Sequence, residues 1–206
     1  MILTIFFYKN DLPSTVKFEK SVAIDTEAMG LLPHRDRLCL VQLADSEGNV
    51  YLVQMERDNK CSPHLKKLLE DESIQKIFHY ARFDVALLMY TFKININNIY
   101  CTKIASKLCR TYTSHHGLKN LCKDLLNVEL SKVEQTSDWG SENLTDEQKG
   151  YAAKDVLYLH ALKQILDDLL KRENRLDLAH QCFDFLPVRA RLDLLSGEQF
   201  DIFSHQ

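Results

Sequence analysis

The hydrophobic period changes along this chain, and that change limits its fold more than any other feature. ILTIFFY, SVAIDTEA, RLCLVQLAD and GNVYLVQ are short apolar runs rich in β-branched and aromatic residues, the pattern of strands. The Ser46–Asn49 turn predicts a hairpin between the last two. Helical and β-like stretches then alternate through HLKKLLED, IQKIFHY, ARFDVALLMYTF and NNIYCT, and beyond about residue 102 the pattern is almost wholly helical. An antiparallel meander followed by βαβ units predicts an α/β fold, a mixed β-sheet flanked by α-helices with a helical C-terminal half. No repeat, low-complexity tract or Pro/Gly-rich linker divides the 206 residues, so 1–206 reads as a single domain.

Composition narrows the function classes. A chain 45% hydrophobic and 27% charged belongs with soluble globular proteins. The opening MILTIFFY is too short to span a bilayer and has no charged n-region or small-residue cleavage site, so a cytoplasmic protein without a membrane partner is expected. The six cysteines form no CxxC pair and the eight histidines no HExxH, which argues against zinc and redox motifs and for reduced core thiols. A net charge of −3 argues against a protein that grips long duplexes through many phosphates. Two divalent cations held by four of its carboxylates would make that balance compatible with a small anionic ligand.

Four acidic residues stand where acids are costly. In SVAIDTEA the strand period puts Asp25 and Glu27 on one face, roughly 6.6 Å apart along the strand. They are either a strand end reaching solvent or a pair that needs cations. Asp84 starts a helix in FHYARFDVALLM, where it is either a favourable charge at the helix N-terminus or a ligand. Thr145 and Gln148 form a capping box, which predicts a helix from about Asp146 to Lys171. On it Tyr151, Leu159, Leu162, Leu166 and Leu169 make one apolar stripe with Asp155 in its middle. Asp155 is therefore a metal ligand or half of a buried salt bridge, with Arg82 a candidate partner. Convergence of all four would explain every anomaly, since oxygen-only ligands suit two ions of Mg²⁺ or Mn²⁺. Such a pair is a device for in-line attack at a phosphodiester. Tyr151, one turn before Asp155 on the same face, either positions the attacking water or is a core aromatic.

AIDTEAMGL, FHYARFDVALL and YAAKDVLYL resemble the three exonuclease motifs of the DEDD superfamily, and the tyrosine four residues before the last aspartate resembles its DEDDy branch, which includes ribonuclease D. The stretch GLKNLCKDLLNVELSKVEQTSDW is also similar to ribonuclease D, and the likeness runs from about residue 20 to 165. The resemblance implies a ribonuclease H-like fold and a metal-dependent 3′→5′ exonuclease that releases 5′-mononucleotides. It implies that Asp25, Glu27 and Asp155 hold one metal, that Asp25 bridges to a second where Asp84 acts, and that Tyr151 orients the nucleophilic water. The chain stops too soon for the helical RNA-binding domains of full-length ribonuclease D. Its length, the DLPS opening and MGLLPHRDRLCLVQLAD are similar to the short bacterial nano-RNase C group, which implies very short RNAs such as dinucleotides as substrate and a homo-oligomer, an octameric ring. The alternative is a general 3′→5′ exonuclease on longer RNA or DNA ends.

Candidate substrate contacts are Leu31, His79, Lys103 and Arg110. Lys103, Ser106, Lys107 and Arg110 recur at helical spacing, a face that is either solvated charge or a cap for a substrate phosphate, with Arg110 first and Lys103 second. His115 and His116 either join that cap or mark a helix–loop junction. Leu31 and Leu32 either wedge against a base or pack under their loop. Phe78, Tyr80 and Phe83 around Asp84 offer a stacking surface or core packing.

Overall fold

In the structure, a computed structural model that describes residues 3–57, 61–130, 137–196 and 202–203, six strands form one sheet. They are β1 (Thr4–Lys9), β2 (Ser21–Ala28), β3 (Leu38–Ala44), β4 (Asn49–Gln54), β5 (Gln75–Phe78) and β6 (Ile99–Cys101), in the order β1-β4-β3-β2-β5-β6. The hairpin expected at Ser46–Asn49 joins β3 to β4. Gly48 takes φ 91° in its turn, and the Asp45 carboxylate accepts from the backbone N–H groups of Glu47 and Asn49. Only β3 runs antiparallel to its neighbours; β2, β5 and β6 are parallel, as βαβ crossovers require. All seven residues of β3 are buried, because both of its faces are covered. The first strand departs from the expected meander. It crosses to the far edge and pairs in parallel with β4, where Phe6 stacks on Tyr51 at 5.3 Å.

Among the described residues seven helices complete the layers: α1 (Pro63–Glu70), α2 (Ala81–Phe92), α3 (Thr102–Cys109), α4 (Leu118–Leu126), α5 (Asp146–Leu157), α6 (Leu159–Arg172) and α7 (Leu176–Ser196). The α5 helix packs on β2, β3 and β4, while α2 lies between the sheet and α7. The capping box of α5 forms as expected: Thr145 Oγ1 accepts from the Gln148 N–H, and Gln148 Oε1 accepts from the Thr145 N–H. The single helix expected over 146–171 is two. Tyr158 sits at φ −98°, ψ −3° and interrupts it, so that α6 turns its buried Leu159, Leu162 and Leu166 onto α3 and α4. Periodicity alone did not mark this break, since both halves keep an apolar stripe. None of the six cysteines is in a disulfide, and four are buried, as expected of reduced core thiols.

Candidate active site

The C-terminal end of β2 carries Asp25 and Glu27, both half-buried on one face as the strand period requires. α5 lays Asp155 against them. One carboxylate oxygen from each of Asp25, Glu27 and Asp155 lies within 4.8 Å of the others. Asp84 reaches the same pocket from the first turn of α2 and is 4% exposed. Its Oδ1 accepts a 2.6 Å hydrogen bond from Thr26 Oγ1. Thr26, between the two strand acids, was not singled out from sequence; only its place in the DTE triplet could have flagged it. The helix begins at Tyr80, whose φ of 66° is left-handed and turns the chain sharply from β5 into α2.

The electrostatics of this pocket all point one way. Asp25 is pushed well above the usual carboxylate range by burial first, then by the charges of Asp84, Asp155 and Glu27. Burial likewise raises Glu27 to about 8, with Asp155 and Asp84 adding repulsion. Asp84 and Asp155 are each lifted to about 7 by burial, against the opposing hydrogen bonds from Thr26 and from the Tyr151 hydroxyl. The Tyr151 hydroxyl is itself raised, by burial and by Asp155, Glu27 and Asp25. The salt bridge weighed for Asp155 does not form: Arg82 spends its guanidinium on Asp193 of α7, at 2.6 and 2.8 Å. Four acids that burial and mutual repulsion penalise make a hard, oxygen-only donor set, which fits divalent Mg²⁺ or Mn²⁺.

The pocket holds about 350 Å³ and is also lined by His79, Tyr80, Phe83, Lys103 and Tyr151. His79 is neutral: burial and the Lys103 charge lower it to about 3, and its Nδ1 lies 2.9 Å from Thr102 Oγ1. Lys103 Nζ sits 4.1 Å from the centre of the Tyr80 ring, a cation–π contact at the rim. Leu31 does not line this pocket. It is 73% exposed on the rim of an adjoining hollow of about 380 Å³ that shares Tyr80 and Phe83. The turn that presents Leu31 is held by Asp36, whose carboxylate accepts from the Leu32 N–H at 2.9 Å and would collide with any β-carbon at Gly30. Lys119 and Asn120, at the start of α4, also line the pocket and were missed, because GLKN reads only as a helix start.

Arg110, expected at the substrate, lies apart from this pocket. It is 2% exposed, donating to the Tyr112 hydroxyl, the His115 carbonyl and Asp124. Ser106 of the same expected basic face is also fully buried, and its Oγ lies 2.8 Å from His116 Nδ1. The basic face fails because α3 ends at Cys109 and the chain folds back over it, so Arg110 leaves the helical spacing and turns inward. His115 and His116 do mark a helix–loop junction.

Residues 6–171 match the 3′-5′ exonuclease family. The chain is similar to a ribonuclease D of Gluconacetobacter diazotrophicus, 33% identical over 77% of this chain and 40% of that protein. It thus spans less than half the length of that relative. Among solved structures it superposes on Brucella melitensis NrnC bound to pGG with a TM-score of 0.94 and 50% identity, covering 100% of both chains. Brucella melitensis NrnC with bound Mg²⁺ superposes with a TM-score of 0.92 at 50% identity, over 98% of this chain and 100% of that one. The sheet and its helices are those of the ribonuclease H-like nucleases.

Proposed function

This chain belongs to the 3′-5′ exonuclease family, and on that premise we propose that residues 1–206 act as one domain that hydrolyses short RNA from its 3′ end and releases 5′-mononucleotides. The observation that carries the reading is the meeting of Asp25, Glu27 and Asp155 within 4.8 Å, in a pocket completed by Asp84 and Tyr151. Two divalent cations, Mg²⁺ or Mn²⁺, held by these four carboxylates would supply an activated water and stabilise the leaving 3′ oxygen. Asp25, which feels the charges of Asp84, Asp155 and Glu27, would be the carboxylate shared between the two cations. Tyr151, tied to Asp155 through its hydroxyl, orients the water for attack along the line of the breaking bond.

The preference for very short RNA is supported by the NrnC relative bound to pGG, which this chain matches over its whole length. Exposed Leu31 stands beside the pocket where it can wedge against a base, with neutral His79 and rim Lys103 within reach of substrate phosphate or sugar. The alternative, longer RNA or DNA ends, draws on the ribonuclease D relative. Assembly as a homo-oligomer, an octamer by resemblance, is supported by exposed Leu178, Phe185, Val188 and Leu195 along α7. A cytoplasmic site of action is supported by cysteines that form no disulfide; no described helix is long and apolar enough to cross a membrane.

The test is hydrolysis of 5′-labelled RNA and DNA, from dinucleotides to strands several times longer, with Mg²⁺ or Mn²⁺. Stepwise shortening from the 3′ end, fastest on the dinucleotide, is the expected ladder. Internal cuts would replace the exonuclease reading, and equal rates at every length would remove the length preference.

A further inference from the structure

Gln42 occupies the middle of β3, where every other residue apart from Cys39 is aliphatic and all are buried. It is 0% exposed, and neither its Nε2 nor its Oε1 has a hydrogen-bond partner. A buried amide left in that state is costly, and an apolar side chain of similar length would fill the site at less expense if packing were its only role. Its position suggests another role. Gln42 pairs directly with Asp25 across the antiparallel β2–β3 ladder, and residues so opposed share a face with β-carbons about 4.5–5.5 Å apart. On the other side of β3 it pairs with Leu52. The same face is covered by α5, the helix that carries Tyr151 and Asp155.

Two further orphaned groups belong to this layer. Gln54, diagonal to Gln42 on β4, leaves its Oε1 unpartnered although its Nε2 donates to the Ser141 carbonyl. Trp139, whose ring centre is 6.1 Å from that of Tyr151, leaves its buried Nε1–H unpartnered. Unmet buried donors and acceptors of this kind are the partners an ordered buried water requires. A carboxylate that holds cations is oriented by donors to its remaining lone pairs, and an amide N–H is such a donor, directly or through one water.

We propose that Gln42 is a positioning residue for the carboxylate centre, fixing the orientation of Asp25 from beneath through a buried water. This rests on the metal-dependent reading above. Gln42 itself touches neither substrate nor cation. It sets the direction in which Asp25 presents its oxygens, and so the affinity of the centre for divalent ions.

The test uses the full chain with Gln42→Met, which keeps length and loses every polar atom. Two quantities are read without RNA: the melting temperature in chelator, and Mn²⁺ binding by titration calorimetry. The expected result is a melting temperature close to wild type with Mn²⁺ affinity down about 10- to 100-fold, the usual effect of removing a partner of a metal ligand. RNA hydrolysis should fall through kcat, with KM little changed. Gln54→Met, on the same face but opposite Leu40 instead of Asp25, removes only an outer partner of that water and should cost clearly less Mn²⁺ affinity than Gln42→Met. Unchanged Mn²⁺ affinity in Gln42→Met would overturn the proposal. So would a Gln42→Met chain that fails to fold, or an equal loss in Gln54→Met, since either makes the amide structural. Wild-type protein that binds Mn²⁺ but leaves RNA intact would defeat the proposed activity while leaving this test readable.

Discussion

Arg110 and Asp155 are both charged groups drawn out of water within one chain, yet their surroundings are opposite. Arg110 has a partner on each side: a carboxylate at 2.5 Å, a backbone carbonyl at 3.2 Å and a phenol at 3.3 Å. Asp155 has the Tyr151 hydroxyl and is otherwise surrounded by acids that repel it. A buried charge whose three nitrogens each donate to a protein group is holding the fold together. A buried charge among like charges is incomplete without a ligand. The difference is one that helical spacing alone could not show, because spacing reports which residues are neighbours and not whether they are already hydrogen-bonded.

Substitutions can break that comparison, beginning with the largest effect. Asp25→Ala removes the acid proposed to serve both cation positions and should lower turnover by on the order of 10²-fold or more, measured on a labelled dinucleotide. Because it also relieves repulsion, the metal-free melting temperature should stay level or rise. Turnover within tenfold of wild type would put the carboxylates on the structural side with Arg110.

Tyr151→Phe keeps the ring that packs near Trp139 and loses only the hydroxyl. A drop in kcat of about 10²–10⁴ with KM unchanged is expected for a group that orients the nucleophile. Loss of stability with kcat retained would instead make the hydroxyl a packing feature.

Arg110→Ala should do the reverse of Asp25→Ala. Loss of its charged hydrogen bonds should cost about 1.5–3 kcal/mol in a denaturant melt, tempered by the partial exposure of Asp124. The folded variant should cleave RNA of every length at the wild-type rate. Selective loss of dinucleotide cleavage would return Arg110 to the substrate side and undo the contrast.

The last expected effect is a slope. Glu27, Asp84 and Asp155 rise from 4.5, 3.8 and 3.8 to about 8, 7 and 7 on folding. Across that window the folded chain holds more protons than the unfolded one, so metal-free stability is greatest below it and is lost as pH rises through 7 to 8. Thermal melts in chelator should show that decline, and saturating Mn²⁺ should flatten or reverse it. A metal-free protein that gains stability over the same range would mean that the acids are already compensated.

Local backbone geometry let the sequence determine several things by itself. A period of two puts Asp25 and Glu27 on one face of β2, and one helical turn puts Tyr151 beside Asp155. The Thr145 capping box and the Asp45–Asn49 turn are likewise set by residues within a few positions of each other. Only the tertiary structure decided which of these pieces meet. Asp84 reaches the other acids because β2 and β5 pair in parallel, bringing Thr26 within 2.6 Å across 58 residues. Gln42 comes to lie against Asp25 through strand register, and Arg82 is drawn away to Asp193 by a helix more than a hundred residues later. Arg110 is turned inward by the return of α4 over the end of α3. Periodicity fixes the direction of a side chain relative to its own element, whereas partnership depends on how separate elements dock.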